Sequence, residues 1–81
     1  MEKPLKVLIA TSERILFEGN AASIIFPGER GVFEILPHHK AVLSRLLSGK
    51  IILDGSSLPI RRGVVKASLN EVTAIVEEGA E

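Results

Sequence analysis

Cysteine, tryptophan and tyrosine are absent from this 81-residue chain, and phenylalanine occurs only three times. Without cysteine there is no disulfide framework, no thiolate nucleophile and no cysteine-bound zinc. A reducing compartment fits that composition. An excess of either charge is missing too, because ten basic and ten acidic residues cancel. Such a chain has no long-range field to draw in a phosphate backbone or an anionic membrane surface. The opening Met1-Glu2-Lys3-Pro4 lacks the basic start and apolar run of a secretory signal. No apolar run approaches the ~20 residues that a helix needs to span a bilayer. The expectation is a chain soluble in itself that reaches a membrane only through other proteins.

What is present is 46% apolar residues, mostly Val, Ile, Leu and Ala, which suit half-buried pleated strands. The length gives a single domain, 1–81, with modest stability expected from the small core. Leu5, Val7 and Ile9 alternate with Lys6, Leu8 and Ala10 at the period of a strand. Extended structure resumes at Ile15-Leu16-Phe17-Glu18, with a turn expected at Gly19-Asn20. Ala22 to Phe26 reads as a strand stopped by Pro27, whose nitrogen carries no hydrogen for a ladder. Gly28 and Gly31 bracket a tight loop before the strand Val32–Leu36, and Pro37 ends that strand. Asp54-Gly55-Ser56-Ser57 is a hairpin signal between Lys50–Leu53 and Leu58–Ile60. Gly63–Leu69 and Glu71–Val76 read as a last hairpin turning at Asn70, with Val72, Ala74 and Val76 on its buried face. The acidic residues 77–81 read as a frayed tail.

Short strands separated by turns predict an all-β fold: a small β-sandwich or flattened barrel of about 8–10 short, mostly antiparallel strands. One segment is ambiguous. Val42, Leu43, Leu46 and Leu47 sit at helical spacing, so periodicity alone would make Ala41–Leu47 a short helix, although seven residues do not separate helix from strand by pattern. Several strands are apolar on both faces, as Leu8 beside Val7 and Ile52 beside Ile51 illustrate. Outward aliphatics are either scattered, which is common, or mark a sheet face covered by a partner protein.

Candidate chemistry is sparse. His38 and His39 are the only histidines, and neighbours in extended chain point to opposite sides, so they do not readily share a metal. Nothing specifies a nucleophile with an orienting carboxylate. Gly28-Glu29-Arg30-Gly31 matches a GxxG clamp literally, but it lies between strands and carries an acid, so a turn is the reading. Arg61, Arg62 and Lys66 would suit a nucleic-acid patch on an OB-type barrel, yet aromatics for base stacking are lacking. A lipoyl- or biotinyl-type carrier would need a modifiable lysine at a hairpin tip, and Asp54–Ser57 has none.

Phe17-Glu18-Gly19, then Pro27-Gly28 with Gly31 and Phe33, then Leu36-Pro37 with His39, form an ordered series. Gly63-Val64-Val65 and Asn70-x-Val72-Thr73 extend it toward the end of the chain. The series resembles the β-domain of the epsilon subunit of rotary F-type ATP synthases. The resemblance implies a non-catalytic rotor protein without cofactors, seated beside the gamma subunit with one end on the ring of c subunits. There it would couple ring rotation to gamma for ATP synthesis, as part of a hetero-oligomer peripheral to the cytoplasmic side of a bacterial plasma membrane. Nucleic acid is not an implied partner, and membrane contact would be indirect, through the c-ring.

Glu29, Arg30, Gly31, Val32, His38 and His39 are the implied contacts to ring or gamma. Gly19, Pro27, Gly28, Pro37 and Gly63 are the implied turn formers, and the resemblance makes Ala41–Leu47 a strand. The chain departs from the family pattern at several points. His38 and Glu34 replace usual glycines, Arg62 replaces the first of a glycine pair, and Val32 replaces a frequent acid. If the family turn uses those glycines at His38 and Glu34 for φ > 0, this loop must be rearranged or mildly strained. The family's helical hairpin has no counterpart within these residues, so a full-length chain of this kind is expected to couple rotation without that inhibitory element or its nucleotide site.

Overall fold

A computed structural model of the chain describes residues 3–79, whose regular elements are all strands. These are β1 (Leu5–Ala10), β2 (Ile15–Ala21), β3 (Ile24–Gly28), β4 (Gly31–Ile35), β5 (Val42–Leu46), β6 (Gly49–Leu53), β7 (Ser56–Ser68) and β8 (Glu71–Glu78). They form one mixed sheet folded into two layers. The first layer runs β2-β1-β8-β7-β5 and uses the Gly63–Ser68 half of β7. The second runs β4-β3-β6 and is completed by the Ser56–Ile60 half of β7. Only β1 and β8 pair in parallel. The long strand β7 passes between layers at a register shift against β8, between Ile60 and Arg62, where an irregular pair bends the strand.

Period-two alternation places the core. Leu5, Val7 and Ile9 of β1 and Val72, Ala74 and Val76 of β8 point inward, as their spacing predicts. They meet Ile24, Phe26, Ile35, Leu46, Ile51, Ile60 and Val65 in one cluster that buries no polar side chain among the described residues. Each large aliphatic removed from water there contributes about 1.5–3 kcal/mol. Phe26, fully buried, packs on half-buried Phe33 with ring centroids 5.7 Å apart. The ambiguous segment is extended: Val42–Leu46 is β5, paired with β7 from Val42↔Ala67 to Leu46↔Gly63.

The turns correct four expectations. Gly19 and Asn20 do not turn the chain but continue β2, opposite Val7 and Lys6. The corner comes two residues later, where the Asp54 carboxylate accepts the backbone N–H groups of Ala22 and Ser23. Pro27 does not stop its strand, because β3 changes neighbour there. Ile24 and Ile25 pair with β6, Gly28 pairs with Leu46 of β5, and Pro27 contributes only its carbonyl, to the Leu47 N–H at 2.8 Å. Gly63 is a strand residue, and a Cβ there would lie 2.6 Å from the Ile75 carbonyl oxygen. Residues 77 and 78 are not frayed. They belong to β8, with Glu77 opposite Arg62 and Glu78 opposite Ile60; residues 80–81 lie outside the described range.

The remaining turns match their residue types. Asp54-Gly55 and Leu69-Asn70 close two-residue hairpins, all four with positive φ. Thr11 Oγ1 accepts the N–H groups of Glu13 and Arg14 and fixes the β1–β2 connection. Pro37 and His38 are the central pair of a turn closed by the His39 N–H on the Leu36 carbonyl at 3.2 Å. The second central position of such a turn requires φ > 0, and His38 adopts 68°. The turn is therefore kept and not rearranged: His38 takes the left-handed conformation, which histidine tolerates better than most side chains, whereas Glu34 lies in β4 without a positive φ.

Candidate functional site

Two surface features stand out, and both follow from the alternation that builds the core. The outward face of the first layer carries an apolar row instead of a polar one. Ala10 of β1 pairs with Ile75 of β8, Ile75 with Val64 of β7, and Val64 with Arg45 of β5. In the adjacent register Leu8 leads through Thr73 and Lys66 to Leu43. Ile75, Val64, Leu43 and Ile15, which pairs with Ala10, are all exposed. Cross-strand neighbours lie only about 4.5–5.5 Å apart, so these side chains form a contiguous patch. The aliphatics on this face are thus gathered into a row and not scattered.

The second feature borders the first. β4 is the end of the sheet path, and β5 leaves β3 after the single pair Gly28↔Leu46. Between these two strand edges lies an open groove of about 870 Å³. Val32, 75% exposed, and Leu43, 76% exposed, stand on opposite banks. Phe33 and Val42 are half-buried along it, and Val64 joins it to the apolar row. Glu29, Arg30, Arg45 and His39 supply the charge and hydrogen-bonding capacity of the rim. His39 Nδ1 lies 2.8 Å from the Lys40 carbonyl and donates to it, which leaves Nε2 facing outward.

The hairpin that carries Glu29 and Arg30 is shaped by its glycines. A Cβ on Gly28 would lie 2.5 Å from Cε1 of Phe33, and Gly31 has φ 123°. The loop is tied across the groove by the Glu29 N–H donating to the Arg45 carbonyl at 3.1 Å. The site is thus a tethered hairpin beside an apolar sheet face, with no general base or nucleophile arrangement in its lining. Unpaired strand edges and exposed apolar faces bind other polypeptides.

Of the six contacts inferred from sequence, the structure brings Glu29, Arg30, Gly31, Val32 and His39 to this groove. His38 lines a different cleft, at the end formed by the β7–β8 turn. Sequence reasoning missed Leu43, Arg45 and Val64. Of these only Leu43 left a trace, in the helical spacing of Val42, Leu43, Leu46 and Leu47. In a strand that spacing means apolar residues on both faces: Leu46 is in the core, whereas Leu43 and Leu47 face solvent. Arg62, read as a possible nucleic-acid contact, instead faces Glu77 at 3.4 Å, both side chains exposed.

Comparison with known proteins gives a consistent result. Residues 4–81 match the model of the ATP synthase delta/epsilon chain β-sandwich domain. An ATP synthase epsilon chain of Nitratiruptor sp. is 44% identical over 78 residues, covering 90% of this chain and 60% of the relative. One from Chlorobium limicola is 33% identical over 82 residues, covering 95% of this chain and 93% of the relative. This chain therefore spans less than two thirds of the first relative and nearly all of the second. A chain in the central stalk and c-ring structure of Tetrahymena thermophila mitochondrial ATP synthase superposes with a TM-score of 0.81 at 15% identity, over 95% of this chain and 66% of its own length. One in the Euglena gracilis mitochondrial ATP synthase gives 0.84 at 14% identity, over 95% and 52% respectively. At such identities the likeness is one of fold.

Proposed function

The chain belongs to the ATP synthase delta/epsilon β-sandwich family, and from that premise we propose that it is a non-catalytic rotor component of an F-type ATP synthase. In this reading it is held in the central stalk with gamma and the c-ring, and transmits ring rotation to gamma during ATP synthesis. The observation that carries it is the apolar row Ala10–Ile75–Val64 running into the groove between Val32 and Leu43. A free domain of this size has no use for such a surface, whereas a stalk component needs one that partners can cover. A standard interface buries about 800 Å² on each partner, within reach of one sheet face plus a groove.

The chain moves no ion and breaks no bond in this role. Its contribution is mechanical: a small, tightly hydrogen-bonded sandwich resists shear, so torque at one contact reaches another. Glu29, Arg30, Gly31, Val32 and His39 serve as partner contacts, with Leu43, Arg45 and Val64 added by the structure. No helix of the described residues is long and apolar enough to cross a membrane. The rotor reading itself makes attachment peripheral, on the cytoplasmic side and through the c-ring. Lipoyl-carrier and single-strand-binding alternatives are not favoured by the family match.

Affinity purification of the tagged chain from detergent-solubilised membranes of its own organism tests the proposal. Gamma and c subunits are expected in the eluate in fixed ratio. Recovery of the chain alone, with the ATP synthase intact elsewhere in the gradient, would refute it.

A further inference from the structure

Three residues other than glycine and Asp54 adopt positive φ, and all three meet at one end of the sandwich: His38 at 68°, Leu69 at 51° and Asn70 at 64°. Histidine and asparagine tolerate that region, but for a bulky aliphatic it is a true outlier. Leu69 also occupies the first position of a two-residue hairpin, where Asn, Asp or Gly is the norm. It is 93% exposed, more than any other large apolar residue among those described. Neither folding nor solubility calls for a leucine there.

The turn is held rigidly. The His38 N–H donates to Asn70 Oδ1 at 2.6 Å, and the Lys6 N–H donates to the Asn70 carbonyl at 2.8 Å. Leu69 is therefore a fixed projection. Around it lies a cleft lined by Lys3, Lys6, His38 and His39, with Glu71 the one carboxylate among the described residues of its lining. None of the chain's five arginines lines this cleft.

We propose that Leu69 is a docking knob, inserted into an apolar socket rimmed by carboxylates on a protein partner of the rotor. Charge complementarity selects that partner: lysines and imidazoles surround the knob and meet acids across the contact. A backbone already fixed at the knob has no ordering cost left to meet on docking, which is what a rigid strained turn provides. A lipid surface is the poorer fit, since two nearby lysines and one leucine on a chain of zero net charge fall short of a stable anchor. The inference rests on the rotor reading but concerns a contact separate from the groove.

The test uses Leu69→Asn, which suits positive φ, and the double variant Lys3→Glu/Lys6→Glu. The probes are gamma and the c-ring of the same organism, each immobilised separately. Leu69→Asn is expected to raise the Tm of the free chain by about 4 °C or more while weakening binding to one probe at least tenfold. The double variant is expected to weaken that same interaction and to flatten its salt dependence. Binding of Leu69→Asn indistinguishable from wild type on both probes, with Leu43→Glu still defective, would overturn the knob alone. Failure of the wild type on both probes would overturn the rotor reading and the knob with it. Leu69-dependent binding to vesicles of anionic phospholipid, without an effect on either probe, would replace the protein socket with a membrane.

Discussion

The carboxylate of Asp54 accepts the backbone N–H of Ala22 through both of its oxygens, at 3.2 and 3.1 Å, across 32 positions of sequence. The same residue holds φ 46° at the start of the β6–β7 hairpin. Asp54 thus closes one turn and anchors another. Asp54→Ala removes the acceptor and places alanine in a left-handed conformation, so it is expected to cost about 2–3 kcal/mol. Asp54→Asn keeps one acceptor oxygen and tolerates the backbone, and should cost about 1 kcal/mol or less. Urea midpoints with unchanged slopes report the two values. Equal losses would show that the acceptor is not what holds the corner.

The glycines separate two causes of intolerance. A Cβ on Gly63 would press on a backbone atom, the Ile75 carbonyl oxygen at 2.6 Å, between two paired strands that cannot part. A Cβ on Gly28 would press hardest on the Phe33 ring at 2.5 Å, which is half-buried at an edge and can pivot, and less closely on the Gly31 carbonyl oxygen at 2.9 Å across its own two-residue hairpin. Gly63→Ala is therefore expected to cost about 3 kcal/mol and Gly28→Ala about 1–2 kcal/mol. Thermal unfolding of both variants gives the order, and a reversal would mean that β7 and β8 yield more easily than the ring.

Much of the fold could be read from residue types because period-two alternation and turn chemistry agree along most of the chain. Leu5, Val7 and Ile9 face the core that their spacing predicts, and Asp54-Gly55 turns where it should. Misreadings arose where a residue's role is set by a partner far away in sequence. Gly19 looks like a turn, yet it is kept in β2 by Val7, and the real corner depends on Asp54. Pro27 looks like a terminator, yet β3 exchanges β6 for β5 around it. The candidate contact surface was half legible. The Gly-bracketed hairpin announced Glu29 to Val32, but no local pattern places Leu43 and Val64 beside them, because that requires the pairing of β5 with β7.

The end of β8 gives a third expectation. The Gly79 N–H donates to the Pro59 carbonyl at 3.0 Å, so this amide should exchange with solvent more slowly than an unstructured one. The nearby ion pairs, Arg14 with Glu78 and Arg62 with Glu77, are both exposed. Neutralising Arg14 or Glu77 to glutamine should change stability by less than about 1 kcal/mol, and less again in high salt. Hydrogen exchange of Gly79 at the intrinsic rate would return residues 77–79 to the status of a loose tail.

The last prediction concerns the surface on which the functional reading depends. Val32→Glu and Leu43→Glu place a charge on the two banks of the groove, at side chains that make little contact in the free chain. Such exposed changes should alter folding stability by no more than ~0.5 kcal/mol. In the assembled rotor, however, each would bury an unpaired carboxylate in an apolar contact, which is far more costly than losing the aliphatic side chain. Association with gamma or the c-ring should therefore weaken at least tenfold, ~1.4 kcal/mol. Ile52→Glu is the control. Ile52 is also an outward aliphatic, 40% exposed, but it lies on the second layer, away from the apolar row. Its substitution should leave association unchanged. If Ile52→Glu matched the groove variants, added charge in itself would be responsible, and the face-specific contact would have to be abandoned.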